Sequence, residues 1–81
     1  MAAAAELSLT GLRVVQEVAA RGSFTAAADA LDYTQSAVSR QVQAMEAAAG
    51  VPLFERRPRG VTPTPAGQAL LRHAAAILDR V

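Results

Sequence analysis

The 81-residue chain contains no cysteine, no lysine and no tryptophan, and its only histidine is His73. Without thiols there is no disulfide staple and no cysteine nucleophile. A lone histidine falls far short of a zinc ligand set, so no metal and no cofactor are expected. The missing lysine removes a Schiff-base amine, and no glycine-rich phosphate loop or serine–histidine–acid set is present. The composition therefore argues against an enzyme. Apolar runs never reach the length of a membrane span. The opening Met1–Ala5 carries no basic residue ahead of it, unlike a secretory signal. A soluble cytoplasmic protein without a membrane partner is the expectation.

Aromatics are nearly absent, with two Phe and one Tyr, so the core must come mainly from Leu, Val, Ile and Met. The apolar share is 52%, but much of it is alanine, which favours helix and buries little area per residue. One small, mainly α domain follows, with at most a short hairpin. Domains of this size bury a modest share of their surface. With no staple available, pairing with a second copy is the expected supplement.

The helices can be placed from periodicity. Leu9, Leu12, Val15 and Ala19, widened by Val18, predict a first helix from Leu9 to Arg21, capped by Ser8 or Thr10 and stopped by Gly22. A second, short helix is expected from Thr25 as cap, with Phe24 just outside it, to Leu31, before Asp32-Tyr33 breaks the pattern. Thr34 then caps a third helix ending at Gly50, with Val38, Val42, Met45 and Ala49 on one apolar stripe. Two helices joined by a turn of about four residues, the second bearing a row of polar side chains, make a helix-turn-helix.

Beyond Gly50 the character changes. Leu53-Phe54-Glu55 and Val61-Thr62-Pro63 read as strands flanking a basic tip, Arg56-Arg57-Pro58-Arg59-Gly60. Pro65 suits the first turn of a last helix capped by Thr64. Its stripe is Leu70, Ala74, Ile77 and Val81, broadened by Leu71 and Leu78. At roughly seventeen residues this helix would rise about 25 Å, more than so small a body covers, so these six residues are expected at a dimer interface. The apolar spacing predicts a helix that continues to Val81, and a helix still running there is expected of a fragment of a longer protein.

Charge is informative by its distribution. The net value is only +1, yet all eight cations are arginine and Arg56, Arg57 and Arg59 crowd one loop. Gln35, Ser36, Ser39, Arg40 and Gln43 share the polar face of the third helix. Arginine and glutamine can make bidentate contacts to guanine and adenine in the major groove, and serine can reach bases or phosphates. Taken alone, such a face is equally a solvated helix surface, and an arginine cluster is often a solvated loop. The two together, on one helix-turn-helix, favour DNA over a protein-docking winged helix, which would show apolar residues at the wing.

The order and spacing of several short pieces add a family resemblance. Gly22-Ser23-Phe24-Thr25-x-Ala27-Ala28-x-x-Leu31, Gln35-Ser36-Ala37-Val38-Ser39-Arg40-Gln41-Val42, Gly50-Val51-x-Leu53-Phe54-x-Arg56 and Thr64-x-Ala66-Gly67 resemble the N-terminal domain of LysR-type transcriptional regulators. The resemblance implies a winged helix-turn-helix of three helices plus a small β-hairpin wing in residues 1–63. A long C-terminal linker and dimerisation helix would follow in residues 64–81. It implies that Gln35, Ser36, Ser39 and Arg40 read DNA, that Arg56 and Arg59 are basic wing positions, and that Thr25 and Thr34 can touch the DNA backbone. Arg57 and Gln43 join the candidates by position alone. Double-stranded operator DNA, bound by a homodimer on an inverted repeat, is the implied partner. The effector-binding lobes that the resemblance places after such a domain are not among these 81 residues, so no inducer site is expected within them. Val15 stands where the family often has phenylalanine, and Met45 and Ala49 where leucine is usual, swaps expected to thin the core. Of the remaining residues, Phe24 and Phe54 are expected in the core, Tyr33 as a packing anchor of the turn, and Glu46 beside Arg40 or the wing.

Overall fold

A computed structural model of the chain describes residues 8–79. The opening Met1–Ala5 and Val81 of the expected dimer stripe lie outside the described residues. The order of elements is α1 (Leu9–Arg21), α2 (Phe24–Leu31), α3 (Gln35–Ala49), β1 (Phe54–Arg57), β2 (Gly60–Pro63) and α4 (Pro65–Leu78). This is the mainly helical, winged helix-turn-helix arrangement.

Each helix starts on a hydroxyl that satisfies an otherwise unpaired backbone N–H. Ser8 accepts from the Gly11 N–H at 3.0 Å, Thr34 from Ala37 at 3.0 Å and Thr64 from Gly67 at 3.1 Å. The second helix corrects the sequence expectation. Its cap is Ser23, which accepts from Ala26, and Thr25 lies inside the first turn. Starting two residues earlier makes Phe24 the first residue of the helix and turns its ring inward, leaving it 7% exposed. Burial of that ring decides between two hydroxyl caps of similar intrinsic quality. Only three residues, Asp32 to Thr34, then separate α2 from α3, with Asp32 in the left-handed region at φ 60°.

α1 is the hub, in contact with α2, α3, α4 and β2. Its buried arc is therefore wider than a single stripe. Val14 is fully buried alongside Leu12, Val15 and Val18, whereas Leu9, expected inside, is 45% exposed. From α3 the core receives Val38, Val42 and Met45, while Ala49 at the far end is exposed. Tyr33 is also exposed, at 42%, so the turn is held by its backbone rather than by an aromatic anchor: the Tyr33 N–H donates to the Ala28 carbonyl at 2.9 Å.

The wing is an antiparallel pair in which Phe54 faces Pro63 and Arg57 faces Gly60. Pro58 and Arg59 alone form its tip, so Arg56 and Arg57 are strand residues and not loop residues. Both strands are four residues long, the second ending at Pro63. The hairpin is tied to the body through the C-cap of α1, where the Val61 N–H donates to the Gly22 carbonyl at 3.0 Å. Gly60, at φ 137°, presses so closely on that carbonyl that a Cβ would collide with it.

α4 returns against α1. Its start is held from two sides, as Thr64 donates its hydroxyl to the Pro52 carbonyl at 2.8 Å and its N–H to the Leu53 carbonyl at 3.0 Å. Ala74 is completely buried within its own chain, and Leu70, Leu71 and Leu78 are partly buried against the same core. Ala74 therefore offers no free surface to a partner, a correction to its expected place at a subunit seam. Ile77 remains 44% exposed.

Candidate nucleic-acid interface

The exposed side of α3 carries Gln35, Ser36, Arg40 and Gln43, with Ser39 half-buried beside them. They are presented because Val38, Val42 and Met45 commit the opposite side of the helix to the core. At the start of the helix, the Thr25 hydroxyl donates to Gln35 Oε1 at 3.3 Å, a long contact that ties α2 to the first residue of α3. The hydroxyl of Thr34 accepts a backbone N–H as the helix cap, so its oxygen already has a local task.

The wing stands beside this face, and its three arginines differ sharply. Alternation along β1 puts Phe54 and Arg56 on the side facing the body and Glu55 and Arg57 on the other. Arg57 is engaged within the wing: its Nη2 pairs with Glu55 Oε1 at 2.9 Å, and its Nε donates to Thr62 Oγ1 at 3.2 Å. Both partners are well exposed, so the ion pair contributes little stability and yields readily to a phosphate. Arg59 is exposed at the tip, with no hydrogen bond or ion pair among the described residues. Arg56 lies back over the body, its guanidinium carbon 4.5 Å from the centre of the Phe24 ring. Phe24 in turn meets Phe54 edge to face, with ring centres 6.3 Å apart.

Two shallow clefts separate the wing from the helices. One runs along the middle of α3 past Ser39, Gln43 and Glu46, and the other opens at the start of α2 and α3 past Thr25 and Gln35. Phe24 and Arg56 line both. The structure thus brings Thr25, Gln35, Ser39, Gln43 and Arg56 to one side of the molecule, while Arg59 reaches beyond it.

Glu46 has a structural task that its sequence position does not reveal. Its Oε2 accepts the Leu53 N–H at 2.8 Å, and it makes no pair with Arg40. The Leu53 side chain is buried, so this bond fixes the chain where it leaves α3 for the wing. Glu46→Ala is expected to cost about 1–3 kcal/mol in urea unfolding, the penalty of stranding a part-buried donor. Glu46→Gln, whose amide oxygen can still accept, is expected to cost much less. Equal losses in the two variants would show that this acceptor is dispensable.

Comparison with known proteins bears directly on this interface. A family model described as bacterial regulatory helix-turn-helix protein, lysR family, matches residues 9–68. An HTH-type transcriptional regulator of Sinorhizobium fredii, y4mQ, is 47% identical over 91% of this chain, and a probable hydrogen peroxide-inducible genes activator of Mycobacterium xenopi is 43% identical, also over 91%. These matches take in 25% and 39% of those two proteins, so the chain spans a minor part of their length. Among solved structures, the DNA-binding domain of CbnR in complex with DNA superposes with a TM-score of 0.87 at 41% identity, covering 90% of this chain and 84% of that one. The BenM DNA-binding domain on its benA site 1 DNA gives 0.86 at 38% identity, covering 91% and 83%. The fold and the relatives are those of transcriptional regulators rather than enzymes. With its helix-turn-helix, wing and first turn of α4 all inside the matched region, the chain belongs to the lysR family of bacterial regulatory helix-turn-helix proteins.

Proposed function

We propose that this chain binds double-stranded DNA sequence-specifically and so directs transcription, with α3 in the major groove and the wing on the flanking backbone or minor groove. The observation that carries the reading is the undivided polar face of α3 flanked by a wing with three exposed arginines. Relatives of the same fold crystallised on DNA support it. Gln35, Ser36, Ser39, Arg40 and Gln43 are the candidate base readers, while Thr25, Thr34, Arg56, Arg57 and Arg59 serve the backbone. Phosphate contacts set affinity and register, and base-edge contacts set sequence preference.

The same reading has two copies acting together on an inverted repeat, their α3 helices about one DNA turn or a multiple apart. In this scheme residues 1–63 contact DNA and 64–81 join the subunits. The exposed Ile77 and the partly exposed Leu70, Leu71 and Leu78 are the available apolar groups of α4 for that contact.

Selection from a pool of random duplexes at two salt concentrations tests the proposal, followed by two variants on the selected site. An inverted repeat should be enriched. Arg40→Ala should weaken the specific site by about 1–3 kcal/mol and relax one or two base positions. Arg59→Ala should weaken all sequences alike and reduce the salt slope by about one. No enrichment, together with salt-insensitive binding, would set the DNA reading aside in favour of a protein partner.

A further inference from the structure

We infer that Phe24 is a positioning residue for DNA binding: its ring holds the Arg56 guanidinium between the wing and α3, as a preset phosphate clamp. The inference rests on the DNA reading above and names a residue that reading does not use. Three observations support it. The guanidinium carbon lies 4.5 Å from the Phe24 ring centre, within the range of a cation–π contact. The ring is itself fixed, 7% exposed and braced edge to face by Phe54, so it serves as a rigid platform. Finally, Arg56 makes no ion pair among the described residues, in contrast to Arg57 with its Glu55.

A guanidinium carbon centred over a ring leaves the edge of the group uncovered. The N–H groups radiate in its plane and stay available to an anion arriving at the mouth of the clefts beside Thr25 and Gln35. Phosphate binding and stacking are thus compatible, and the ring lowers the entropy that a long side chain would lose on binding. A lysine at position 56 would keep the charge and lose both the planar fork and the match to the ring. The three wing arginines then have different tasks: Arg56 is preset beside the recognition helix, Arg57 is exchangeable between Glu55 and a phosphate, and Arg59 extends freely from the tip.

The test measures binding of the 81-residue chain to a random-sequence duplex as a function of salt, so that no operator need be known. The variants are Arg56→Lys, Phe24→Leu, their combination, and Phe24→Tyr, with circular dichroism to confirm folding. Arg56→Lys and Phe24→Leu should each weaken binding roughly three- to tenfold. The double variant should be no weaker than the weaker single one, and Phe24→Tyr should bind like the parent. The salt slope of Phe24→Leu should fall by up to about one, as expected when a phosphate contact loosens, which a simple loss of packing would not produce.

Full affinity in Arg56→Lys, or strictly multiplicative losses in the double variant, would overturn the clamp while leaving DNA binding intact. Should Phe24→Leu fail to fold, Arg56→Lys decides alone, since its side chain is exposed. A folded parent chain that binds no duplex would overturn the clamp and the DNA reading together.

Discussion

Gly67→Ala should destabilise the chain by about 2–4 kcal/mol, although it places a better helix former inside a helix. Alanine is favoured over glycine by about 1 kcal/mol at an exposed helical position. Gly67 is not exposed: a Cβ there would run into the backbone carbonyl of Leu53 and also press on Pro63. Overpacking costs about 1–3 kcal/mol where neighbours can adjust. A carbonyl cannot swing aside as a side chain would, and this one also accepts the Thr64 N–H that starts α4. Moving it strains both the loop after α3 and the cap of the last helix. Native domains hold about 0.05–0.15 kcal/mol per residue, so the loss is a large part of what a chain of this size has. Urea unfolding checks it, and a midpoint that rises would mean that α4 does not approach Leu53 so closely.

Met45→Ala should be of similar or greater effect, about 2–5 kcal/mol, the usual range for truncating a buried methionine. Met45 is fully buried and reaches across to α1 at Gly11, where a Cβ would lie 2.5 Å from its Sδ. The missing side chain on α1 and the long one on α3 are thus two halves of one contact. That pairing allows a sharper check. Gly11→Ala alone should be close to neutral, because the flexible thioether can shift while helix propensity improves. Added to Met45→Ala, it should recover about 1 kcal/mol or more by refilling part of the void and stiffening α1. If the two substitutions simply add with no recovery, the two side chains do not share that space.

Gly11 and Gly67 show a limit of reading the sequence. Each looks like a helix-weakening residue in an otherwise alanine-rich pattern. Only the approach of Met45 in one case and of a backbone carbonyl in the other explains why no side chain is there. Likewise the stripe on α1 could be read from spacing, but Val14 lies off it and is buried because α1 is packed by α2, α3, α4 and the wing strand β2 on more than one side. The last helix shows the same effect in reverse. Its apolar stripe invites a partner subunit along its length, whereas Ala74 is wholly taken up by its own domain.

The candidate interface divides in the same way. The polar row on α3 was legible because a helix that buries one side must show the other, and periodicity alone tells which residues share a side. The wing was legible as a basic hairpin but not in its detail. That Arg57 pairs with Glu55 while Arg56 lies on Phe24 depends on strand register and on where the hairpin docks. The carboxylate of Glu46, expected beside Arg40 or the wing, holds the Leu53 backbone instead.

The local grammar was already in the sequence: the caps Thr34 and Thr64, the stops at Gly22 and Gly50, the helical periods and the hairpin. These depend on hydrogen bonds and dihedral preferences within a few residues of one another. Packing between elements settled that Ser23 rather than Thr25 caps α2, that Glu46 holds the chain into the wing, that Gly67 admits Leu53, and that Arg56 rests on Phe24. Each of those outcomes depends on how buried groups from separate elements meet. Close packing leaves one arrangement in which the rings, carbonyls and charges all find partners, and no local pattern records it.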